Sequence, residues 1–339
     1  MILVGMIFGD IFAVFVLHQN AARVGASLAS AVQAAADGDV AAVASHFKDT
    51  GGFLENRGTK VDTHVHLIAF GYLALLLALI QPWVKFSEAG RQRLAWLMVF
   101  GAVLLPVGVF LIHYVGMAYS PLQSIGWASI FADLGGLLVL CATIGYMVGI
   151  GRHFLLRPAF PSDKLLNDRS AAARWLLAGG LCLILAGFVH GAYYASSDLY
   201  RHEEADYRIL SQLASAASVH SQSQINQALG DYGQLQGDKA VKIAAHAHII
   251  EFGLLAMLLA FFQPYVQLSE IWKIRWAKVL LCGSLLLPVC VLLEMRYGRV
   301  AGGIADMGGL LVIVALLAMW IGILRYTGRV DAITSGAQP

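Results

Sequence analysis

Seven of the chain's eleven histidines fall inside strongly apolar stretches: His18, His64, His66, His113, His190, His246 and His248. Ionisable groups are costly inside a bilayer and concentrate where they do chemistry. Four of them form two H-x-H motifs, in HVHLIAFG from residue 64 and HAHIIEFG from residue 246. At about 100° per residue, the two rings of an H-x-H point to nearly opposite sides of one helix. One helix can then ligate two centres, with His18 opposite one ring and His113 opposite the other. Neutral imidazole among apolar neighbours suits haem, copper or zinc. Zinc would usually bring a cysteine or carboxylate to the same point. Opposing histidines on neighbouring helices suit a haem iron with two axial ligands, and a His/Met pair raises its potential. Met295 stands in the second half where the first has His113, so the two halves are expected to hold haems of different potential. The bland alternatives are histidines hydrogen-bonded between helices and a gap-filling methionine.

Other polar residues in these stretches have weaker patterns. Asp133 and Asp306 share the context A-D-x-G-G, whose paired glycines allow close helix approach. Each suits a proton-handling or quinone-linked carboxylate, an acceptor for an imidazole N–H, or a plain interhelical hydrogen bond. Glu251 follows His248 by three residues, on an adjacent helix face. Arg296 and Arg299 suit pairing with haem propionates at the outer surface, or simply mark the interface. His46, His153, His202 and His220 are expected in solvated loops or caps.

These side chains need helices to hold them, and the composition provides them. In 339 residues, 58% are hydrophobic and 13% charged, and the net charge is +2. Mean hydropathy is +0.69. That excludes a disordered chain, disfavours a soluble enzyme and gives no sign of a nucleic-acid partner. A span needs about 20 apolar residues. Eight are expected, at 2–24, 61–84, 94–115, 125–149, 174–196, 242–266, 276–296 and 303–325. The N-terminal run MILVGMIFGDIFAVFVLH has no basic region before it, so it reads as a span and not a signal peptide. Alternate linkers are basic, from Lys85 to Arg93, Arg152 to Arg174, Lys273 to Lys278 and Arg325 to Arg329. Both termini are therefore expected in the cytoplasm of a bacterial-type inner-membrane, multi-pass protein. The polar stretches 26–60 and 197–240 are expected as helical caps on the outer face. Cys141, Cys182, Cys282 and Cys290 lie in apolar runs without C-x-x-C spacing and read as small hydrophobic residues.

The chain also repeats itself. Residues 64–84 and 246–266 are identical at 13 of 21 positions, at an offset of 182. The same offset aligns LLPV at 104–107 and 286–289, while ADLGGLLV at 132–139 matches ADMGGLLV at 305–312. An offset of 172 places His18 against His190, which makes the second outer stretch about ten residues longer. The expected fold is therefore all-α and integral to the membrane, with eight transmembrane helices as two tandem four-helix repeats. The first repeat takes residues 1–150, a cytoplasmic linker 151–172, and the second repeat 173–339.

HVHLIAFG and HAHIIEFG resemble the H-x-H helix of subunit I in the haem–copper oxidase superfamily, and of small cbb3-like and NnrS-like membrane haem proteins. The resemblance covers about 45 residues. It implies axial haem ligation by His64, His66, His246 and His248, with His18, His190 and His113 as opposite ligands. The oxidases' adjacent His-His pair and His-Pro-x-Val-Tyr segment are absent from this chain. The expectation is thus a b-type haem protein, with one or more haems per repeat and copper a weaker candidate. Arg296 and Met295 complete the expected cofactor-binding set. The protein would pass electrons, for example from quinol to a periplasmic carrier or to subunits of a respiratory complex. The alternatives are a divergent oxidase-like or NO-handling oxidoreductase and a metal or proton transporter.

Overall fold

The computed structural model describes residues 1–12, 18–115, 127–155 and 170–326, and every regular element among them is helical. The helices are α1 (Ile2–Phe12), α2 (His18–Ala36), α3 (Val40–Ile80), α4 (Glu88–Val115), α5 (Ala128–Leu155) and α6 (Ala171–Tyr193). A π-helical turn, Tyr194–Asp198, carries α6 into α7 (Leu199–Ser218). Then follow α8 (Gln222–Phe262), α9 (Glu270–Tyr297) and α10 (Arg299–Leu324).

Among the described residues, seven helical segments are long and apolar enough to cross a membrane, beginning at Val40, Glu88, Ala128, Ala171, Gln222, Glu270 and Arg299. Only 28–50% of each apolar window is buried within the chain. The rest presents side chains such as Leu137, Leu285, Ile313 and Trp320 outward. Helices satisfy their own backbone groups, so apolar surface of this extent suits lipid contact and a multi-pass membrane protein. The first expected span, 2–24, includes residues 13–17, which lie outside the described set, as does the start of the 125–149 span.

The two polar stretches differ from the expected separate caps. α3 and α8 each run for 41 residues. At 1.5 Å per residue that is about 60 Å, twice a bilayer's hydrocarbon thickness. Stretches 26–60 and 197–240 are therefore largely extensions of the span helices, folded into the hairpins α2/α3 and α7/α8. Gly38 turns the first at φ +73° and His220 the second at φ +52°. In both turns the next residue donates its N–H back to the helix, Asp39 to Ala34 and Ser221 to Ala216. The Asp39 carboxylate then caps α3 by accepting from the Ala42 N–H at 3.0 Å.

The chain divides into two compact units. The first takes Met1–Ala74, Leu97–Val139 and Ala192–Ala240, and the second Leu75–Trp96, Leu140–Gly191 and Val241–Pro339. In the first, α4 and α5 meet where neither has a side chain to spare. A Cβ on Gly135 would lie 2.3 Å from the Leu105 nitrogen, and one on Gly108 2.4 Å from that of Ala132. In the second, α9 and α10 meet in the same way, with a Cβ on Gly308 2.7 Å from the Leu287 nitrogen. The first glycine of each A-D-x-G-G thus sets the helix approach, as small residues do between membrane helices. Within the second unit, Pro82 and Pro264 open short 3₁₀ turns after α3 and α8. The chain after each turn latches onto a neighbouring helix, Lys85 N–H to Gly149 O and Gln267 N–H to Gly322 O.

Candidate functional site

In the first unit, the His64 ring lies between α3 and α1. Its Nδ1 is 2.9 Å from the carbonyl oxygen of Gly5. A carbonyl can only accept, so Nδ1 carries the proton and the neutral ring keeps its lone pair on Nε2. A Cβ on Gly9 would stand 2.4 Å from the ring, so glycine is what lets the imidazole lie against α1. In the second unit, the His246 Nδ1 is 2.9 Å from Gly187 O, and a Cβ on Gly191 would be 2.5 Å from its Cε1. Both rings therefore have one tautomer and one orientation, held by a backbone acceptor of the kind that accompanies metal-bound histidines.

These contacts correct the alignment of His18 with His190. Gly5 and Gly187 stand at an offset of 182, as do Gly9 and Gly191, so position 190 corresponds to Phe8. His18 is the first residue of α2, and its side chain lies outside the described set. The second outer stretch is accordingly no longer than the first. The signal was in the sequence, since G-M-I-F-G and G-F-V-H-G share glycine spacing at the offset of the H-x-H motifs.

The second ring of each motif turns elsewhere, as the i, i+2 geometry requires. His66 Nδ1 donates to Asp62 O at 2.6 Å, and its ring lies 5.6 Å from Phe70. His248 stacks on Phe252 at 5.7 Å, with Nδ1 3.9 Å from the exposed Glu251 carboxylate. His190 does approach His246, with ring centroids 6.2 Å apart. Two imidazoles on opposite sides of one metal ion, at bonds of about 2 Å, have ring centres roughly 6 Å apart. His190 Nε2 donates to Lys242 O at 3.3 Å, which leaves its Nδ1 as the nitrogen with a lone pair.

His113 stands in the last turn of α4 with its ring 5.1 Å from Tyr114. Its Nδ1 is buried with no hydrogen-bond partner among the described residues. Beside it, Lys60 is only 3% exposed. The Lys60 Nζ lies 4.6 Å from the Phe110 ring centre and 4.2 Å from that of Tyr114. Phe110 in turn meets Phe8 of α1 edge-on at 5.7 Å. Met295, at the position of His113, is 44% exposed near the end of α9, and Arg296 beside it lies over Tyr297 at 5.6 Å. Arg299 is exposed at the start of α10. Asp133 and Asp306 are both exposed, and among the described residues no imidazole hydrogen bond reaches either.

His202 corrects a further expectation. It is 6% exposed and not solvated. Its Nε2 donates to the Asp238 carboxylate at 2.7 Å, and the Tyr194 hydroxyl lies 3.4 Å from its Nδ1. Asp206 on the same hairpin pairs with Lys239 and accepts from Gln236. Tyr194 opens the π-helical turn, whose extra residue re-aims the side chains that follow. On α3, before its apolar part, burial pushes the Glu55 carboxyl up to about 7; the Glu203 charge adds to this and Lys60 opposes it. Nothing in the local sequence marks His202 as buried, because its partner is 36 residues away.

Among the described residues, no three histidine, cysteine or acidic side chains come together as a metal cluster. A haem iron takes four of its ligands from the porphyrin and needs only one or two from protein. The fixed tautomers of His64 and His246 and the glycines beneath their rings fit that smaller demand. Comparison with protein-family models, with curated proteins and with solved structures finds no match for this chain.

Proposed function

We propose that this chain is a b-type haem protein of a bacterial-type inner membrane that passes electrons near its outer face. The reading takes the chain as eight spans in two tandem four-helix repeats with both termini cytoplasmic. The observation that carries it is the paired hydrogen bond from His64 to Gly5 O and from His246 to Gly187 O. In each case a span histidine has its Nδ1 bonded to a backbone carbonyl, which fixes the ring and leaves Nε2 as the nitrogen that would face a metal. The recurrence at one offset supports duplicate sites, as do the matching glycine contacts and the matching outer turns.

Haem, when bound, supplies a one-electron carrier whose potential follows its axial ligands and surroundings. The chain's own part is to hold and shield it. His64 and His246 are the ligand-bearing residues, and His190 is the opposing candidate in the second unit. In the first unit the corresponding residue is Phe8, so opposition falls to His113 or to His18. The two sites then differ in ligand set, and therefore in potential. Quinol and a periplasmic carrier or partner subunit are the proposed electron donor and acceptor. The alternatives are a divergent oxidase-like or NO-handling enzyme with one open haem position, and a metal or proton transporter.

Purified, haem-supplied protein tests this with a pyridine haemochrome assay and a reduced-minus-oxidised spectrum. A b-type signal that falls in H64A and H246A, and not in H46A, supports the reading. A folded protein without haem under these conditions overturns it in favour of transport. Carbon monoxide binding by the reduced protein would favour the enzyme.

A further inference from the structure

Midway along α3, Lys60 is a cation that the described residues do not satisfy. It has three N–H donors, and its nitrogen is buried without a hydrogen-bond acceptor among those residues. Phe110 and Tyr114 offer it their ring faces, which attract a cation but are poor substitutes for an oxygen acceptor. Glu55 acts on it through space only. In the sequence of α4, His113 lies between Phe110 and Tyr114, and its Nδ1 is buried and equally without a partner among the described residues. One turn further in, the Thr63 hydroxyl bridges Thr59 O at 2.6 Å and Pro106 O at 3.4 Å, which holds α3 against α4 beneath the pair. Burying an ammonium group without an acceptor is strongly unfavourable. The missing chemistry is an anionic oxygen.

We propose that Lys60 and His113 form a binding pocket for an anionic oxygen group at the outer membrane boundary. The pocket goes beyond the haem reading; the first of its two sources rests on that reading and the second does not. Two sources share the chemistry. One is a carboxylate of the cofactor, because Lys60 lies one turn before His64 on the same helix face. The other is a lipid phosphate, because Lys60 sits where α3 passes from polar to apolar sequence.

The test compares full-length wild type, K60Q and K60R in nanodiscs of phosphatidylcholine, with and without phosphatidylglycerol. One arm is redox titration of bound haem; the other is thermal denaturation. With a carboxylate in the pocket, K60Q lowers the reduction equilibrium constant of one haem about threefold or more and K60R restores it. With a lipid phosphate, phosphatidylglycerol raises the wild-type midpoint, and K60Q abolishes that rise while K60R keeps it. Should K60Q not accumulate as folded protein, K60M carries the same two measurements. A variant that matches wild type in both arms overturns the pocket. Wild type without haem overturns the haem reading alone and leaves the lipid arm to decide.

Discussion

His246 donates its Nδ1–H to the carbonyl of Gly187 across 2.9 Å, and the same bond joins His64 to Gly5. Each carbonyl belongs to the helix against which the ring packs, so ring orientation and helix packing are one arrangement. Each ring also rests on a glycine one turn further along, Gly191 or Gly9.

Alanine at either glycine should therefore act on the ring. A Cβ at 191 would stand 2.5 Å from the His246 Cε1 and must displace it. G191A is expected to cost about 1–3 kcal/mol of stability, typical of overpacking. It should also lower haem content while leaving helicity by circular dichroism intact. Unchanged haem content would show that this ring orientation does not matter for binding.

The A-D-x-G-G motifs give a contrast within two adjacent residues. A Cβ on Gly135 would meet the Leu105 backbone nitrogen at 2.3 Å, whereas one on Gly136 meets only the Leu105 Cδ1 at 3.5 Å. G135A should lose about 1–3 kcal/mol. G136A should be neutral or gain up to about 1 kcal/mol from helix propensity. Thermal midpoints in detergent decide between this and an equal effect of the two substitutions.

At the hairpin turn between α7 and α8, His220 takes the left-handed conformation that Gly38 takes between α2 and α3. A residue with a Cβ pays about 1–2 kcal/mol there. H220G should raise the denaturation midpoint, and G38A should lower its own. A fall in H220G would mean that the imidazole makes a contact worth more than the strain.

Much of this was legible in the sequence. The H-x-H motifs and their offset pointed to the two α3 and α8 histidines, and A-D-x-G-G pointed to close helix contacts, because both are local patterns. Three features were not read. The alignment of His18 with His190 followed residue identity, whereas backbone contacts at Gly5 and Gly187 decide the register. The polar stretches suggested separate caps, because nothing in hydropathy distinguishes a cap from a helix that continues into water. The burial of His202 and Lys60 depends on neighbours dozens of residues away, such as Asp238 and Phe110.

Glu55 makes stability depend on pH. Its folded-state value of about 7 lies above the ordinary 4.5, chiefly through burial. The folded chain thus favours the protonated carboxyl. That contribution is complete below about pH 4.5 and is lost as pH rises through 7. E55Q should remove this part of the slope and denature later than wild type at pH 8. Equal slopes for the two proteins between pH 5 and 8 would contradict this.

The central claim is that the span histidines hold haem, and a spectrum tests it most directly. Wild type expressed with haem supply should give a b-type reduced-minus-oxidised signal, and H64A and H246A should each lose part of it, their double variant most. Folded double variant with the full wild-type haem signal would contradict the account.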